Sequence, residues 1–410
     1  MNTKLKAFSL RTTRRTFAVV VVSLLILSAN VHSAPRHVYL TWQGDTSTTM
    51  TVNFHTEKQG DSIVLFDKIA HKGKEENYPS RITGKAHQIP GLNDNRWIHV
   101  VELTGLEPNT DYYFVAGNET NGYSKERKFR TIPAGDEPLR FISGGDMNIQ
   151  KLVRKLLAEA GKLNPDFAII GGDIAYENGE LDEYPEWDVW LKNWEKFMVT
   201  PDGRTVPMML AIGNHEVNDL TDKDPALRSP GYIGNFAQAN NLSYFSKQFG
   251  KNLVIIALDS GHLTPHDGEQ KAWLETELKR VQAMPYKFAI YHVPLYPTIR
   301  EYEGKGSVAG RAHWLPLFDQ YGLTTAFENH DHAFKRTHRL KAGKIDPTGT
   351  LYLGDGCFGV EPREMKEKRW YQEVASGTPH FWLVDLTPTK QSYTAINEKG
   401  DTIDHHEIGK

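Results

Sequence analysis

Residues 166–179, "DFAIIGGDIAYENG", decide the fold of the larger part of this chain. The segment begins with an apolar run that is typical of a buried strand. It then turns at two glycines into Asp173, and Tyr176 follows three residues later. In open α/β sheets, functional sites form just beyond the carboxyl ends of the strands. The segment therefore predicts a strand of an α/β sheet that ends at a site.

Four other apolar runs end in polar residues in the same way. They are "LRFISGGD" with Asp146, "VPMMLAIGNHE" with Asn214, His215 and Glu216, "YKFAIYH" with His292, and "LTTAFENHDH" with His330 and His332. Between these runs, residues 148–161, 183–198 and 268–283 carry apolar side chains at helical spacing. This alternation predicts an α/β domain over residues 134–410, in which the last segment returns to strands.

The chain before residue 134 has a different pattern, which predicts strands alone. In "TTMTVNFHT", residues 48–56, apolar side chains alternate with threonine and asparagine, which we expect to face outward. Residues 106–117, "LEPNTDYYFVAG", resemble the tyrosine-corner region of fibronectin type III domains. We therefore predict a β-sandwich over residues 34–133, with a structural or docking role and no catalytic chemistry.

The first 33 residues have the composition of an export signal. They contain five bases and no acids, and the apolar run of residues 17–27 precedes the small residues of "VHSAP". This run is too short for a comfortable transmembrane span, so no such span is expected in the mature chain. Residues 13–17, "TRRTF", resemble a twin-arginine signal; the alternative is a general secretory signal with two incidental arginines. The protein is predicted to be exported, to the periplasm or the exterior if it is bacterial.

Composition excludes some functions. Without residues 1–33 the chain has 43 bases and 51 acids, a net charge of −8, which disfavours nucleic acid as a partner. The single cysteine, Cys357, makes an intrachain disulfide impossible. It follows a strand-like run and is interpreted as a small buried residue.

The polar residues at the five strand ends have the chemistry of metal ligands. Carboxylate, imidazole and amide groups suit hard to borderline divalent and trivalent ions, and the absence of thiolate argues against a closed structural zinc site. The candidate ligands are too many for a single ion that keeps one coordination position open. Two ions that share a bridging carboxylate would account for their number. Taken singly, a Gly-Asp pair is usually a turn and a buried histidine is usually hydrogen-bonded. Their recurrence at five strand ends favours a two-metal centre, the usual clamp for phosphoryl and hydrolytic chemistry.

The blocks "GGD", "GGDIAY", "GNHE", "YH" and H-x-H resemble the five-block signature of metallophosphoesterases. Tyr176 and the preceding sandwich resemble purple acid phosphatases in particular, and the resemblance covers essentially the whole mature chain. It implies two mixed β-sheets flanked by helices. It also implies one ion bound by Asp146, Asp173, Tyr176 and His332, and another bound by Asp173, Asn214, His292 and His330. The first would be ferric iron, bound by Tyr176, and the second a divalent iron, zinc or manganese ion.

The function implied is a secreted acid phosphatase that hydrolyses phosphate monoesters of small molecules by attack of a metal-activated hydroxide. Asn214 would help hold the phosphate, and His215 would stabilise charge and protonate the leaving group. Glu216 would orient His215 or act as a ligand. A phosphodiesterase on the same metals is the first alternative. The second is a surface binding protein with a vestigial catalytic domain, and the sequence does not predict an oligomeric state.

The chain departs from the plant-type members of the family at the block-four loop. Those members have a histidine pair nine and ten residues after the block-four histidine, where this chain has Glu301 and Tyr302. Arg300 is either a phosphate ligand or a surface arginine. Tyr302 and His262 are further candidates for substrate binding, and for His262 a hydrogen-bonded loop role is the alternative.

The fifth block departs from the family as well, because Asn329 stands where the family usually has glycine. Asparagine tolerates a left-handed backbone, so we expect positive φ at Asn329. In an extended segment His330 and His332 point to the same side and Asp331 points away, so Asp331 is expected to support the loop and not to bind metal.

Overall fold

The computed structural model of the protein describes Met1, residues 34–238 and residues 242–409. The predicted signal segment, apart from Met1, lies outside the described residues. Within the described part of the chain, no helix is long and apolar enough to cross a membrane.

Residues 36–130 form two antiparallel sheets that face each other. The strands are β1 Arg36–Thr41, β2 Met50–Thr56, β3 Ile63–Asp67, β4 Ser80–Thr83, β5 Lys85–His87, β6 Trp97–Leu103, β7 Asp111–Asn118, β8 Gly122–Tyr123 and β9 Arg127–Arg130. One sheet has the order β1-β2-β6-β5, and the other has β4-β3-β7-β8 with β9 also paired to β7. A short 3-10 helix, Glu75–Asn77, lies between β3 and β4. The Tyr112 hydroxyl accepts a hydrogen bond from the Glu107 backbone N–H, which is the contact that defines a tyrosine corner.

The outward-facing residues of β2 are not exposed as the alternating pattern predicts. Every residue of β2 is buried, including Thr51 and Asn53. The second face of this sheet packs against the rest of the chain, where Thr41 Oγ1 donates to the Ala237 carbonyl and Tyr39 to the Asn235 carbonyl. Alternation predicted a solvated face, but a partner domain covers it, and some of its polar groups, the His55 ring among them, have no hydrogen bond in the described structure.

The remaining residues contain fifteen strands, seven α-helices and two further 3-10 helices among those described. The strands are β10 Leu139–Gly144, β11 Phe167–Gly171, β12 Met208–Ala211, β13 Phe245–Phe249, β14 Leu253–Ala257, β15 Tyr286–Ile290, β16 Thr325–Phe327, β17 Phe334–Thr337, β18 Leu340–Lys341, β19 Lys344–Ile345, β20 Leu351–Gly354, β21 Gln372–Ser376, β22 Phe381–Thr387, β23 Lys390–Ile396 and β24 Thr402–Gly409. The α-helices are α1 Lys151–Lys162, α2 Pro185–Phe197, α3 Pro225–Arg228, α4 Pro230–Asn235, α5 Gly268–Arg280, α6 Lys305–His313 and α7 Leu315–Tyr321. The 3-10 helices are Leu181–Glu183 and Asn214–Glu216.

Two large mixed sheets organise this domain, as the resemblance implied. One has the order β12-β11-β10-β22-β23-β24, and the other has β13-β14-β15-β16-β20-β17-β21. Their inner faces meet through aromatic rings: the Phe141 ring lies 4.8 Å from that of Phe167 and 6.2 Å from that of Phe288. The expected fold class, an α/β sandwich preceded by an all-β domain, is thus confirmed.

The three helices predicted from periodicity are present as α1, α2 and α5. The aromatic stripe of α2 belongs to the core, because Trp187, Trp190 and Trp194 are fully buried. Cys357 is also buried.

Candidate metal centre

The five polar strand ends come together between the two sheets. Strands β10, β11 and β12 are parallel neighbours in one sheet, and β15 and β16 are parallel neighbours in the other. Parallel neighbours end at the same edge of their sheet, so the turns that follow these five strands lie side by side.

Several residues in these turns have a left-handed backbone conformation. Of the seven predicted ligands, the five in left-handed backbone are Asp146 (φ 55°), Asp173 (φ 51°), Tyr176 (φ 68°), His330 (φ 76°) and His332 (φ 55°). Such conformations are uncommon for residues other than glycine and cost about 1–3 kcal/mol each. Strain of this kind persists where the surroundings fix it, and it concentrates at functional sites.

Two groups of potential ligands share one carboxylate. Asp146, Asp173 and His332 present ligand atoms within 4.8 Å of one another, and so do Asp173, His292 and His330. Asp173, which is 1% exposed, belongs to both groups. This is the arrangement that a bridging carboxylate between two ions requires.

In the first group, buried atoms lack hydrogen-bond partners. His332 Nε2 lies 3.1 Å from Asp146 Oδ1, yet this fully buried oxygen has no hydrogen bond in the described structure. The Tyr176 hydroxyl lies 3.4 Å from the same His332 nitrogen. Burial, followed by the charges of Asp146 and Asp173, holds the pKa of the Tyr176 hydroxyl far above its usual range. An oxygen without a partner beside an imidazole nitrogen fits a bound cation.

In the second group, three atoms converge on His292 Nε2. They are Asp173 Oδ2 at 3.1 Å, Asn214 Oδ1 at 3.1 Å and His330 Nδ1 at 3.0 Å. His292 Nδ1 lies 2.9 Å from the Gly171 carbonyl and donates to it, which leaves Nε2 as the atom that faces the other three. One nitrogen cannot satisfy three such neighbours, whereas a shared cation can.

The carboxylates make this region strongly negative. Burial lowers the pKa of His292, but the charges of Asp173 and Asp146 outweigh burial and raise that pKa to about 9. The raised pKa reflects the negative potential of these carboxylates, which also attracts a cation. Burial, followed by repulsion from His292, holds the pKa of His330 far below its usual range. His330 is therefore a neutral imidazole, the form that binds metals.

Glu216 holds the Asp173 turn, whereas we had expected it to orient His215 or bind metal. Its carboxylate accepts hydrogen bonds from the backbone N–H groups of Asp173 (2.8 Å), Ile174 (2.6 Å) and Gly213 (2.8 Å). Burial and then the Asp173 charge raise the pKa of Glu216 to about 8. Glu216 therefore fixes the direction of Asp173 through the backbone.

His215 lies beside this turn and has a partner that the sequence did not reveal. Its backbone N–H donates to Asp173 Oδ1 at 2.9 Å, and its ring stacks on that of Tyr176 at 4.2 Å. His215 Nδ1 lies 2.5 Å from Asn178 Oδ1. If Nδ1 donates this bond, Nε2 is the nitrogen that can serve a substrate. The only signal for Asn178 was its place in an Asn-Gly pair just after Tyr176.

The expectation of positive φ at Asn329 is wrong, because the left-handed residues are His330 and His332. The two histidines are therefore not in an extended segment. The Asn329 side chain donates to the Tyr291 carbonyl at 2.9 Å. It also fills the space beside two glycines: a Cβ on Gly145 or Gly171 would lie within 2.5 Å of the Asn329 amide group. Asparagine at this position thus packs against the ends of β10 and β11.

Asp331 is buried, and its carboxylate supports the loop after β15. Asp331 Oδ2 accepts the backbone N–H groups of Ile299 at 2.7 Å and Arg300 at 3.2 Å. The Arg300 Nε lies 3.5 Å from Asp331 Oδ1. Asp331 therefore connects the fifth strand end to the loop that carries Arg300.

Two arginines lie beside the candidate metal centre, and sequence reasoning found only Arg300. Burial and then the nearby charge of Arg363 lower the pKa of Arg300. The Arg363 backbone N–H donates to the His332 carbonyl at 2.9 Å. Among the described residues, no carboxylate forms an ion pair with Arg363, whose charge also acts on Tyr176. Nothing in "VEPREMKEK" distinguished Arg363 from its charged neighbours.

The other two candidate substrate-binding residues, His262 and Tyr302, lie in different surroundings. The His262 ring lies 5.6 Å from that of His292, and its buried Nε2 has no partner among the described residues. Burial, then His292, lowers the pKa of His262 to about 3, so His262 is neutral. Tyr302 instead packs near the rings of Tyr296 and Tyr371, beneath the Arg311 guanidinium at 3.7 Å, in a cluster that contains none of the predicted ligands.

Two mixed sheets with a shared carboxylate between two ligand groups define a class, the dinuclear metallophosphoesterases. In agreement, the family model described as calcineurin-like phosphoesterase matches residues 142–334. Enzymes of this class hydrolyse phosphoric esters.

A second family model identifies the particular family. The model described as purple acid phosphatase, N-terminal domain, matches residues 35–131. With both models matched in order, the chain belongs to the purple acid phosphatase family, whose members are dimetal enzymes.

Individual relatives agree with this assignment. The chain is 26% identical over 322 residues to probable purple acid phosphatase 20 of Arabidopsis thaliana, covering 75% of this chain and 71% of that one. It is also 26% identical over 350 residues to purple acid phosphatase 13 of the same plant, covering 74% of this chain and 60% of that one. A solved purple acid phosphatase from yellow lupin seeds shares the fold, with a TM-score of 0.77 and 20% identity, covering 92% of this chain and 74% of that one.

Proposed function

We propose that the chain is an exported dinuclear acid phosphatase that hydrolyses monoesters of phosphoric acid on small molecules. The observation that carries the proposal is the Asp173 carboxylate, which both ligand groups share. Asp146, Tyr176 and His332 complete one proposed ion site, and Asn214, His292 and His330 complete the other. Export rests on the five bases and the apolar run of the first 33 residues.

The proposed ions differ in charge because the ligand groups differ in chemistry. The first group is rich in oxygen, with two carboxylates and the Tyr176 hydroxyl. Burial, followed by the surrounding carboxylates, raises the pKa of Tyr176, so a strongly polarising trivalent ion suits its binding as tyrosinate. Ferric iron is such an ion. The second group has two imidazoles and an amide, which suit divalent iron, zinc or manganese.

When bound, two such ions lower the pKa of a water molecule and neutralise charge on the phosphoryl oxygens. The residues of the chain have separate tasks. Asn214 positions a phosphate oxygen beside His292. Arg300 and Arg363 offer guanidinium groups to the remaining oxygens. His215, held through Nδ1 by Asn178, presents Nε2 as the proton donor for the leaving alkoxide, which is the task left open by the absence of the plant-type histidine pair.

Paired assays test the proposal. Protein loaded with iron and zinc is assayed on p-nitrophenyl phosphate and on bis-p-nitrophenyl phosphate. We expect a higher kcat/KM for the monoester, together with a visible absorption band from tyrosinate-to-iron charge transfer. A higher kcat/KM for the diester would favour the phosphodiesterase alternative. Loaded, folded protein that hydrolyses neither ester would refute the proposal.

The role of the two arginines leads to a prediction. Replacing Arg363 with glutamine is expected to raise KM for a monoester about tenfold, or about 1.4 kcal/mol, with a smaller change in kcat. Arg300→Gln should have a similar but smaller effect, because Arg300 already lies 3.5 Å from Asp331. Lys366→Gln, which removes an exposed charge from the segment that carries Arg363, is the control. Equal KM values for Arg363→Gln and the control would exclude a substrate contact.

A further inference from the structure

A second cluster of metal-ligating side chains lies outside the candidate metal centre. We propose that His37, His55 and Asp188 bind a divalent transition-metal ion of the zinc class, which joins the N-terminal sandwich to helix α2. The ligand atoms of these three residues lie within 4.8 Å of one another. His37 and His55 come from strands β1 and β2, and Asp188 comes from α2. We call this cluster the interdomain histidine site.

A β-bulge directs His37 toward the cluster. Arg36 pairs with His55 and Tyr39 pairs with Asn53, so β1 has one residue more than β2 across this interval. His37 lies in the bulge and has φ of 52°, a left-handed conformation that is uncommon for histidine. Bulges redirect side chains, and here the His37 and His55 rings lie 5.2 Å apart at an angle of 80°.

The nitrogens of the cluster lack partners. Both ring nitrogens of His55 are buried and have no hydrogen bond in the described structure, and the residue is 0% exposed. His37 Nε2 lies 2.9 Å from Asp188 Oδ1 but is not aligned for a hydrogen bond. Buried polar atoms are normally hydrogen-bonded, so the four ring nitrogens of His37 and His55, which have no hydrogen bond among the described residues, need an explanation. A cation beside Asp188, bound through one nitrogen of each ring, accounts for one nitrogen of each histidine.

The candidate metal centre offers an internal comparison. There, His332 Nε2 lies 3.1 Å from Asp146 Oδ1, and that buried oxygen likewise has no hydrogen bond among the described residues. A close imidazole–carboxylate contact that fails as a hydrogen bond thus occurs at both places. Two atoms bound to one ion approach each other in this way without either one donating a proton.

The charges around the interdomain histidine site permit a cation. The Arg96 guanidinium donates to both oxygens of Asp188, at 2.7 and 2.9 Å, and its Nε donates to Asp94. Two carboxylates therefore face one guanidinium. Arg36, which is half-buried, brings a second guanidinium, so two positive and two negative charges balance near the histidines. Arg96 also fixes the orientation of the Asp188 carboxylate, as residues behind a metal ligand commonly do.

The ligand chemistry indicates the kind of ion. Neither ring nitrogen of His55 has a hydrogen bond in the described structure, so an imidazole nitrogen is available to a metal ion. Two imidazoles and one carboxylate without thiolate suit zinc, cobalt or nickel more than magnesium or calcium. Three protein ligands leave one position of a tetrahedral ion for water.

Counting bound zinc tests the proposal. Chelated full-length protein is equilibrated with ZnCl2, freed of loose ions by gel filtration and analysed by mass spectrometry of the metal. We compare the unmodified protein with Asp173→Ala, which disables the candidate metal centre, and with Asp173→Ala/His55→Ala. We expect one zinc per chain in Asp173→Ala and none in the double variant. No zinc in folded Asp173→Ala would overturn the proposal, as would one zinc in the double variant.

Two further variants guard against misfolding and indirect effects. Asp188→Asn in the Asp173→Ala background keeps the shape of α2 and should also lose the zinc, so the test survives if His55→Ala fails to fold. His71→Ala in the same background is the matched control, because His71 pairs with Asp67 at 2.7 Å in the sandwich and the described residues provide no third ligand there. It should keep one zinc. Zinc should also raise the Tm of Asp173→Ala but not that of the double variant.

Discussion

Replacing Asp173 with alanine is expected to remove binding of both ions at the candidate metal centre and to lower kcat/KM for a phosphate monoester at least about a thousandfold, which corresponds to about 4 kcal/mol. Asp173 is the one carboxylate that both ligand groups use. The substitution also removes the acceptor for the His215 backbone N–H, so the proposed proton donor loses its anchor. Metal analysis and kinetic assays on the same preparation measure both effects.

The controls for Asp173→Ala distinguish loss of the carboxylate that bridges two ions from loss of any one negative charge. Asp219→Ala removes an exposed carboxylate that follows the third strand end, and it should change neither metal content nor rate. Asp146→Ala should affect the first ligand group more than the second, because Asp146 belongs only to the first. Full activity with two ions at the centre in Asp173→Ala would disprove the bridging assignment.

The sequence predicted that the candidate ligands which directly follow strand ends lie close together. Asp173 and His292 each lie within two residues of an apolar run, so local pattern and the rule for parallel sheets suffice to bring them together. Asn178 lies in a turn and Arg363 in an irregular loop, both outside those runs. Their positions depend on how distant loops pack, and a single sequence carries no local record of that packing.

At Asn329 the turn was predicted correctly, but the residues with positive φ were not. The turn was predicted, and left-handed backbone was assigned to the residue that replaces glycine. The left-handed residues are His330 and His332, because the Asn329 side chain is held by the Tyr291 carbonyl and by the space beside Gly145 and Gly171. Backbone propensity makes asparagine the residue of this turn that most easily adopts positive φ. Tertiary contacts place positive φ at the two histidines instead.

The buried face of β2 also differs from its prediction, in this case because of a contact between domains. Alternation in residues 48–56 correctly predicted a strand, but it could not show that a second domain covers the polar face. His55 lies on this strand and has no exposed surface. The interdomain histidine site was therefore beyond sequence reasoning, since its ligands come from two domains and its bulge is a tertiary feature.

A buried ion network behind the candidate metal centre gives the largest expected effect on stability. Lys335 is fully buried, and its Nζ lies 2.5 Å from Glu328 Oε2 and 2.6 Å from Asp355 Oδ1. Glu328 also accepts from the Tyr291 hydroxyl and the Leu295 backbone N–H, at 2.8 and 2.6 Å. The network thus joins the segment that carries His330 to the loop after β15.

Replacing Lys335 with methionine keeps most of the apolar stem of the side chain but removes the cation beside two buried carboxyl groups. We expect a loss of about 3–5 kcal/mol in the free energy of unfolding, measured by urea denaturation of the metal-loaded protein. Lys162→Met is the control, since Lys162 is exposed and its pair with Glu159 should contribute about 0–1 kcal/mol. Restoring charge balance with Glu328→Gln and Asp355→Asn should recover part of the loss.

The pH dependence of Lys335→Met distinguishes unpaired charge from poor packing. Burial outweighs Lys335 and raises the pKa of Asp355 to about 8, and removal of the lysine can only raise that pKa further. A carboxyl group whose pKa is raised by folding binds more protons in the folded state, so stability falls as pH rises from its unfolded pKa toward its folded pKa. Because the pKa of Asp355 is already about 8 beside Lys335, the two proteins differ in this titration only above about pH 8, so the variant should lose more stability at pH 9 than at pH 5, relative to the unmodified protein. An equal loss at both pH values would mean that the missing methylene and ammonium contacts, and not the carboxylate charges, account for the effect.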